Sequence, residues 1–322
     1  MNNKYKNISL DKLKELKSFK VNNKINDLLV LNDGRILTSQ YYQMESEFDG
    51  CKLCVYSIKK RFICDINIDN SEDGDADIIQ SLYLMNDGNV VISFLQKIII
   101  IKITKDTIKV IYKIRDEFLC PIFITKLLGD NFLIHWEPDY ELYKYEKGEL
   151  ISYKDLTTLY KNVCVEDICQ LTENEYVLFS RKKRANSGEI CFVIFYDMLN
   201  NKKIRTLKIG KGRIYLSVML LLNEDNLITS GKNFIVVIDV KDRIVVNKYK
   251  YNIFFERVIL LNKNSFLHCT EENIYLYEIE DMNKIRLIEK KDMKIGSITK
   301  YSKNKFIIKH LNGKKISIYG YN

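Results

Sequence analysis

A short phrase recurs seven times along the chain, and this repetition constrains the fold more than any other feature of the sequence. Its two strongest copies are Leu31-Asn-Asp-Gly34, within VLNDGRILTSQ, and Met85-Asn-Asp-Gly88, within LMNDGNVVISF. Five weaker copies keep an apolar or aromatic residue before a polar turn: Leu128-Gly-Asp-Asn131, Leu171-Thr-Glu-Asn174, Leu222-Asn-Glu-Asp225, Leu261-Asn-Lys-Asn264 and Tyr301-Ser-Lys-Asn304. The successive spacings are 54, 43, 43, 51, 39 and 40 residues, with a mean of 45. A period of this length predicts a repeat protein.

The residues around each copy predict four strands. Asn, Asp and Gly tolerate the positive φ that tight hairpin turns require, so the phrase is typical of a turn between two strands. The flanking runs, such as DLLVL and RILTS, are largely apolar and include β-branched residues. A third run and a fourth, such as RIVVNKYKY, complete each repeat. Four antiparallel strands per repeat predict an all-β, seven-bladed β-propeller with four-stranded antiparallel blades.

The two ends of the chain predict how the ring of blades closes. The seventh repeat stops after its third strand, at Tyr319-Gly-Tyr-Asn322, so its fourth strand is missing. The segment 13–21 precedes the first repeat and has no partner there, so we expect it to complete the last blade and leave no open sheet edge. The predicted blades of this single domain, residues 1–322, span 25–68, 78–114, 122–156, 165–209, 214–251, 255–291 and 295–322 together with the strand from 13–21.

The ends of the third strands resemble the position where the WD-repeat family places an aromatic residue followed by an acid. The nearest matches are Tyr196-Asp197, Ile238-Asp239 and Tyr277-Glu278, whereas the Trp-Asp pair and the Gly-His pair of that family do not occur. The whole chain is therefore similar to the WD-repeat-like seven-bladed propellers. The resemblance implies a rigid, non-enzymatic platform for protein interactions, although fold alone does not name a partner.

Histidine chemistry does not point to an enzyme. The sequence has three histidines, His135, His268 and His310, which fall near second strands of three different repeats. A catalytic dyad needs two partners within hydrogen-bond reach, and nothing in the sequence pairs these residues. We therefore predict no catalytic residues.

Two segments have part of the spacing of a metal site. Cys51-Lys-Leu-Cys54 could supply half a zinc site with Cys164 and Cys169, but residues three apart on a strand face opposite sides of the sheet. The segment Asp69–Ile78 places acidic or hydroxyl oxygens at loop positions 1, 3, 5 and 9 and glycine at position 6, as calcium loops do, but position 12 is Gln80. We predict no metal and no cofactor, and we keep a calcium-binding enzyme or adhesion-like domain as the second alternative.

Segments between the second and third strands break the repeat and are the predicted partner-binding sites. Aromatic and arginine side chains on protruding loops are common anchors of protein interfaces. One such segment, residues 40–50, is the longest; another, residues 135–140, holds the only tryptophan; and a third is the basic insertion Arg181–Arg184. The predicted partner-binding residues are Tyr41, Tyr42, Phe48, Trp136, Tyr140, Arg181, Lys182, Lys183 and Arg184.

The basic charge of the chain is concentrated at its ends. Residues 1–24 carry seven lysines and two acids, and residues 282–322 carry eleven lysines or arginines and two acids, in a chain of net charge +9. If both ends share the last blade, they form a basic sector, so binding of RNA or anionic lipid is the first alternative function.

The same sequence predicts where the protein acts. Most of its eight cysteines lie in apolar runs, as free thiols do, and residues 1–20 contain no apolar signal core. We expect a cytoplasmic protein, with the nucleus as an alternative, that is monomeric as a folding unit and does not cross a membrane.

Overall fold

Strands account for nearly all of the regular structure. The computed structural model describes residues 9–43, 49–59, 61–68, 79–94, 97–115, 121–136, 139–156, 164–184, 188–211, 218–231, 234–250, 257–262, 265–281, 284–302 and 305–321. In these residues, 28 strands form seven four-stranded sheets, which we number as blades 1 to 7 in chain order. The described helical segments are two 3-10 turns of three residues each, Leu10–Lys12 and Leu128–Asp130. None of the described helical segments has the length and apolar character needed to span a membrane. The seven sheets of four antiparallel strands confirm the predicted fold class.

The chain divides into two compact units. The first comprises Met1–Lys14, Tyr160–Ile298 and Tyr321–Asn322, and it contains blades 4 to 6. The second comprises Glu15–Leu159 and Thr299–Gly320, and it contains blades 1 to 3 and most of blade 7.

Blades 1 to 3 pair their strands in sequence order. Blade 1 consists of β2 (Lys24–Val30), β3 (Ile36–Gln43), β4 (Asp49–Ser57) and β5 (Arg61–Ile68). Blade 2 consists of β6 (Ile79–Leu84), β7 (Val90–Phe94), β8 (Lys97–Ile103) and β9 (Ile108–Arg115). Blade 3 consists of β10 (Pro121–Lys126), β11 (Asn131–Trp136), β12 (Asp139–Glu146) and β13 (Glu149–Asp155).

Blades 4 to 6 follow the same order. Blade 4 consists of β14 (Cys164–Gln170), β15 (Glu175–Arg184), β16 (Gly188–Asp197) and β17 (Lys202–Lys211). Blade 5 consists of β18 (Val218–Asn223), β19 (Asn226–Gly231), β20 (Phe234–Asp239) and β21 (Ile244–Lys250). Blade 6 consists of β22 (Arg257–Asn262), β23 (Ser265–Cys269), β24 (Asn273–Asp281) and β25 (Lys284–Asp292).

Blade 7 joins the two ends of the chain, as the sequence predicts. Its strands are β1 (Leu13–Lys20), β26 (Ile295–Ser302), β27 (Lys305–His310) and β28 (Lys315–Tyr321), in the spatial order β1-β28-β27-β26. The amide of Val21 donates to the carbonyl of Lys314 at 3.0 Å, and the amide of Ile25 donates to the carbonyl of Gly313 at 2.9 Å. The N-terminal strand therefore supplies the fourth strand that the last repeat lacks.

The repeated Asn-Asp-Gly phrase forms the same turn in blades 1 and 2. Gly34 and Gly88 have φ of 80° and 86°, a region that glycine reaches without steric cost. In each turn the aspartate accepts a hydrogen bond from the amide two residues later, at 3.0 Å for Asp33 and 2.9 Å for Asp87. The phrase is therefore a structural turn between the first and second strands, as its composition predicts.

Apolar residues of adjacent blades pack into shared cores. All five residues of β7 are buried, because both faces of this sheet are covered by neighbouring blades. In the second unit, three clusters join blades 7 and 1, blades 1 and 2, and blades 2 and 3. In the first unit, two clusters join blades 4 and 5 and blades 5 and 6. Each blade thus depends on its neighbours to bury its apolar faces.

Candidate functional site

The basic segment of blade 4 lies on a strand and not on a loop. Residues Arg181 to Arg184 are the last four residues of β15, and their backbone pairs with β16 as far as the Arg184–Gly188 pair. The prediction of a loop at this point is therefore wrong. The ladder continues because β16 offers an extended partner, Gly188 to Cys191. The basic residues thus lengthen the hairpin of the second and third strands.

In blade 1, the hairpin between the second and third strands, β3 and β4, also extends into the segment that was expected to be a loop. Tyr41 and Tyr42 lie on β3 and pair with Cys51 and Gly50 of β4, so they also belong to a strand. The third candidate of this segment, Phe48, lies outside the described residues.

Blade 3 differs most from the expected loop. Trp136 ends β11 and pairs with Asp139 at the start of β12. Tyr140 is only 5% exposed, and its ring stacks on that of His135 with the ring centroids 3.9 Å apart. The expectation that Tyr140 protrudes on a loop is wrong, because its ring is used in packing within the blade.

His268 and His310 each contact another side chain of the same blade. His268 is fully buried and stacks on Tyr275, with 5.3 Å between ring centroids. His310 and Ser317 form a pair, with 2.7 Å between Nε2 and Oγ, and burial lowers the pKa of this histidine. Ser317 has no exposed surface, so its hydroxyl is not accessible to a substrate.

The cysteines of blade 1 behave as core residues. Cys51 packs in the core between blades 1 and 2, whereas Cys54 packs in the core between blades 7 and 1. The two thiols therefore face opposite sides of the sheet, as their spacing predicts. Burial raises the pKa of Cys51 to about 12 and that of Cys54 to about 11, which disfavours the thiolate that binds metals. In the part of the chain that the structure describes, no group of three His, Cys, Asp or Glu residues could hold a metal ion. The acidic segment Asp69–Ile78 lies outside that part.

A cavity of about 710 Å³ lies at the opposite end of blade 1 from the lengthened hairpin, in the second unit. Its walls come from the turns of blades 1 and 2 and from Tyr301 of blade 7, and we name it the blade 1 cavity. Four half-buried apolar side chains line it: Ile58, Ile63, Ile103 and Tyr301. Ile63 and Ile103 also border the core between blades 1 and 2, and Ile58 and Tyr301 border the core between blades 7 and 1. The cavity is therefore the place where two cores reach the surface.

Arg35 fixes the wall of the blade 1 cavity. Its Nε donates to Asp33 Oδ2 at 2.6 Å, and its Nη1 donates to the carbonyl oxygens of Thr104 at 2.6 Å and Lys105 at 3.1 Å. Because Thr104 and Lys105 belong to the turn between β8 and β9, this guanidinium ties blade 1 to blade 2. The hydroxyl of Tyr301 donates to the carbonyl of Gly34 at 3.2 Å and ties blade 7 to the same turn.

Sequence reasoning missed the blade 1 cavity. One signal was present, because the first copy of the repeated phrase continues with Arg35 where the second copy has Asn89. The other lining residues come from three repeats, and their proximity is visible only in the folded chain.

Comparison with known proteins supports the fold. No protein-family model and no curated protein sequence matches this chain. The chain is similar to the RRP9 WD40 repeats, with a TM-score of 0.67, 11% identity, and coverage of 96% of this chain and 97% of that one. It is also similar to the β-propeller domain of Cps50 (Swd1) from Myceliophteria thermophila, with a TM-score of 0.66, 11% identity, and coverage of 96% and 100%. A chain of the mitotic checkpoint complex gives a TM-score of 0.67 at 9% identity, with coverage of 96% and 92%. The protein therefore has the fold of the WD40-repeat seven-bladed β-propellers.

Proposed function

We propose that this protein is a non-enzymatic scaffold that binds other proteins through the hairpins between its second and third strands. The observation that carries this proposal is the length of the blade 4 hairpin, in which β15 and β16 have ten residues each. In the same unit, the second and third strands of blade 5 have six residues each. The added length ends in four consecutive basic residues. Two of them are arginines, a residue type enriched in interfaces, and a basic patch steers acidic partners.

In the second unit, we propose the equivalent hairpin of blade 1 and the end of β11 in blade 3 as further partner-binding segments. They contribute Tyr41, Tyr42, Phe48 and Trp136, which are the residue types that dominate interface energetics. The similar chain from the mitotic checkpoint complex is itself part of a protein assembly, which supports this class of function. We propose protein partners for a monomeric scaffold in the cytoplasm or nucleus.

Charge reversal at the hairpin tests the proposal. The variant Lys182→Glu/Lys183→Glu/Arg184→Glu should lose its main partners when the tagged chain is purified from its native cells and the associated proteins are quantified by mass spectrometry. The control variant Lys202→Glu/Lys203→Glu/Lys208→Glu changes three exposed lysines on the outer strand of the same blade. Equal partner profiles for the wild type and the hairpin variant would contradict the proposal.

Blade 7 favours a second candidate function, the binding of RNA. Strands β26, β27 and β28 contain no acidic residue, and the only acid of the sheet is Glu15 on β1. Glu15 already pairs with Lys315, with 3.1 Å between Oε2 and Nζ. The exposed lysines therefore leave a strong positive excess on one sheet, as polyanion-binding surfaces do.

A salt titration tests RNA binding. The affinity for a fluorescent single-stranded RNA should fall steeply between 50 and 200 mM salt, and Lys300→Glu/Lys305→Glu/Lys314→Glu should reduce both affinity and salt slope. These three lysines are exposed, whereas Lys309 donates to the carbonyl of Asn26 at 2.6 Å. Binding to anionic liposomes without binding to RNA would contradict this candidate.

A further inference from the structure

We propose that the blade 1 cavity binds a segment of a partner protein that inserts an aliphatic or aromatic side chain flanked by carboxylates. The cavity lies at the end of blade 1 formed by the turns between β2 and β3 and between β4 and β5. The lengthened hairpin is at the other end of the same strands, because consecutive strands are antiparallel. The cavity is therefore a separate contact surface, and its occupancy does not depend on the hairpin interface.

The size and apolar lining of the cavity suit an inserted side chain. A volume of about 710 Å³ lies within the range of roughly 300–1,000 Å³ that is typical of ligand sites. The side chains of Ile58, Ile63 and Ile103 are only half-buried although they border two closed cores. An apolar side chain seated among them would extend both cores and remove these groups from water.

The charges around the cavity favour a partner segment that has acidic residues on both sides of its inserted side chain. Arg35, Lys59 and Lys105 line the cavity, and Lys17 donates its ammonium to the carbonyl of Ile58. Two acids, Asp33 and Asp106, also line it. Because Asp33 and Arg35 pair with each other, the remaining charges are Lys59 and Lys105 against Asp106. Cations thus exceed anions, so a partner that brings carboxylates gains electrostatic complementarity, whereas a basic partner is repelled.

The positions of the exposed cations favour a polypeptide over a small ligand. Lys59 belongs to the turn between β4 and β5, and Lys105 belongs to the turn between β8 and β9, so they come from different blades. Ile63 and Ile103 come from these same two blades. An extended polypeptide can place one apolar side chain against Ile63 and Ile103 and, at the same time, place carboxylates beside the turns that carry Lys59 and Lys105.

The site is held in shape before binding. Arg35 joins the turns of blades 1 and 2, and Tyr301 joins blade 7 to Gly34. A preformed site loses less conformational entropy on binding, which favours measurable affinity for a short segment.

Peptide selection on the full chain tests the proposal. A random peptide library displayed on phage is selected on the immobilised protein, and the consensus peptide is then measured by fluorescence anisotropy. We expect an aliphatic or aromatic residue with Asp or Glu on both sides. Affinity should fall about tenfold or more in Lys59→Glu/Lys105→Glu and about threefold to tenfold in Ile63→Ala.

A matched variant controls for net charge. Lys147→Glu/Lys241→Glu makes the same charge change at exposed lysines in the equivalent turns of blades 3 and 5, and it should bind the peptide like the wild type. Thermal unfolding monitored by circular dichroism confirms that each variant is folded.

Four results would overturn the proposal. They are failure to select any peptide, a consensus without acidic residues, equal affinity of the wild type and Lys59→Glu/Lys105→Glu, and displacement of the peptide by submillimolar octanoate, which would indicate a small-molecule site. Light scattering provides a further check, because self-association abolished by Lys59→Glu/Lys105→Glu would make a second copy of this chain the occupant and would also contradict the proposal.

Discussion

Gly34 and Gly88 occupy the same turn position in blades 1 and 2 but have different surroundings. A Cβ added to Gly34 would lie 2.9 Å from Tyr301 Oη, whereas the nearest atom to a Cβ on Gly88, apart from its neighbours in the chain, would be Asn32 Nδ2 at 3.9 Å. Both backbones have positive φ, which costs a residue with a side chain about 1–2 kcal/mol. Alanine at Gly88 therefore measures mainly the cost of a positive φ, and alanine at Gly34 adds the cost of the close contact with Tyr301.

We predict that Gly34→Ala destabilises the protein more than Gly88→Ala. Gly88→Ala should lower the free energy of unfolding by about 1–2 kcal/mol, and Gly34→Ala by about 1 kcal/mol more, as measured by urea unfolding. Tyr301→Phe in the Gly34→Ala background should recover part of this difference, because it removes the clashing hydroxyl. Equal losses for the two alanine variants would show that Tyr301 adjusts without cost.

Asp167 links blades 4 and 5 through a carboxylate. Its Oδ1 accepts from the amide of Ile168 and its Oδ2 from the amide of Met219, both at 2.8 Å. Burial raises the pKa of Asp167 to about 6, although the two amide hydrogen bonds lower it. Because the folded pKa lies above the ordinary aspartate value of 3.8, the folded state binds this proton more tightly than the unfolded state.

The stabilisation from protonated Asp167 should be complete below about pH 4 and lost as the pH rises through about 6. Asp167→Asn mimics the protonated acid, so its stability relative to the wild type should be higher at pH 7 than at pH 4, by up to about 3 kcal/mol. Urea unfolding of both proteins at the two pH values measures this difference. A difference that does not vary with pH would contradict the prediction.

At the scale of the element, one acidic residue adds side-chain contacts to the backbone pairing between β1 and β28. Glu15 accepts from Lys315 Nζ at 3.1 Å and from Tyr319 Oη at 3.2 Å. Burial raises the pKa of Glu15, but hydrogen bonds from Ser18, Lys315 and Ser317 outweigh it and lower the pKa to about 2. The carboxylate therefore favours the closed sheet wherever it is ionised.

Because the folded pKa of Glu15 is depressed, its contribution should be complete above about pH 4.5 and lost as the pH falls toward 2. Glu15→Gln should lower the free energy of unfolding at pH 7 by about 1 kcal/mol, a small value because the ion pair is partly exposed. It should also flatten the acid unfolding curve that circular dichroism records between pH 4.5 and 2. Glu224→Gln, at an exposed turn of blade 5, is the control for the loss of one negative charge.

The sequence predicts the strands, and the face of the sheet on which a residue lies, wherever the repeat and the two-residue period of a strand determine them. The spacing of Cys51 and Cys54 placed them on opposite faces, and the structure places them in different cores. The sequence predicts a loop at the end of β15, because Arg181–Arg184 is a basic insertion between the second and third strands of its repeat. Backbone pairing with β16 overrides that local pattern, since the ladder needs only an extended partner and not an apolar one.

At the scale of the whole molecule, the fourth strand of each of blades 1 to 6, and β1 in blade 7, expose apolar side chains. The side chains concerned are 38% to 50% exposed: Leu16, Phe62, Val110, Ile111, Ile151, Tyr153, Ile204, Ile244, Val245, Leu287 and Ile288. Unpaired edges of this kind promote aggregation unless charges interrupt them. In β9, Lys109 and Lys113 are exposed beside Val110 and Ile111.

We predict that Lys109→Ile/Lys113→Ile increases aggregation with little loss of folded stability. Removing both charges leaves an uninterrupted apolar edge that can pair with another chain. Static light scattering during incubation at 37 °C should rise several-fold faster than for the wild type. Lys109→Arg/Lys113→Arg keeps the charge and should behave like the wild type; a faster rise in this control would show that lysine itself, and not charge, protects the edge.

The number of blades could be predicted from the sequence, because the turns and strands of each blade are determined by residues within one repeat. It did not predict the blade 1 cavity, because that cavity depends on Arg35 reaching Thr104 and on Tyr301 reaching Gly34. Such contacts join residues far apart in the chain, and no local pattern encodes them.

The sharing of blade 7 between both chain ends has a consequence for biosynthesis. β1 leaves the ribosome well before its partner β28, because blades 1 to 6 lie between these two strands in the chain. Blades 1 to 6 each contain four consecutive strands and can form as they emerge, while β1 waits without a partner and exposes Leu13 and Phe19, which are buried in the folded chain. The sheet of blade 7 therefore assembles only after β28 has been made, and until then a chaperone or a neighbouring nascent chain competes for the edge of β1 that β28 covers.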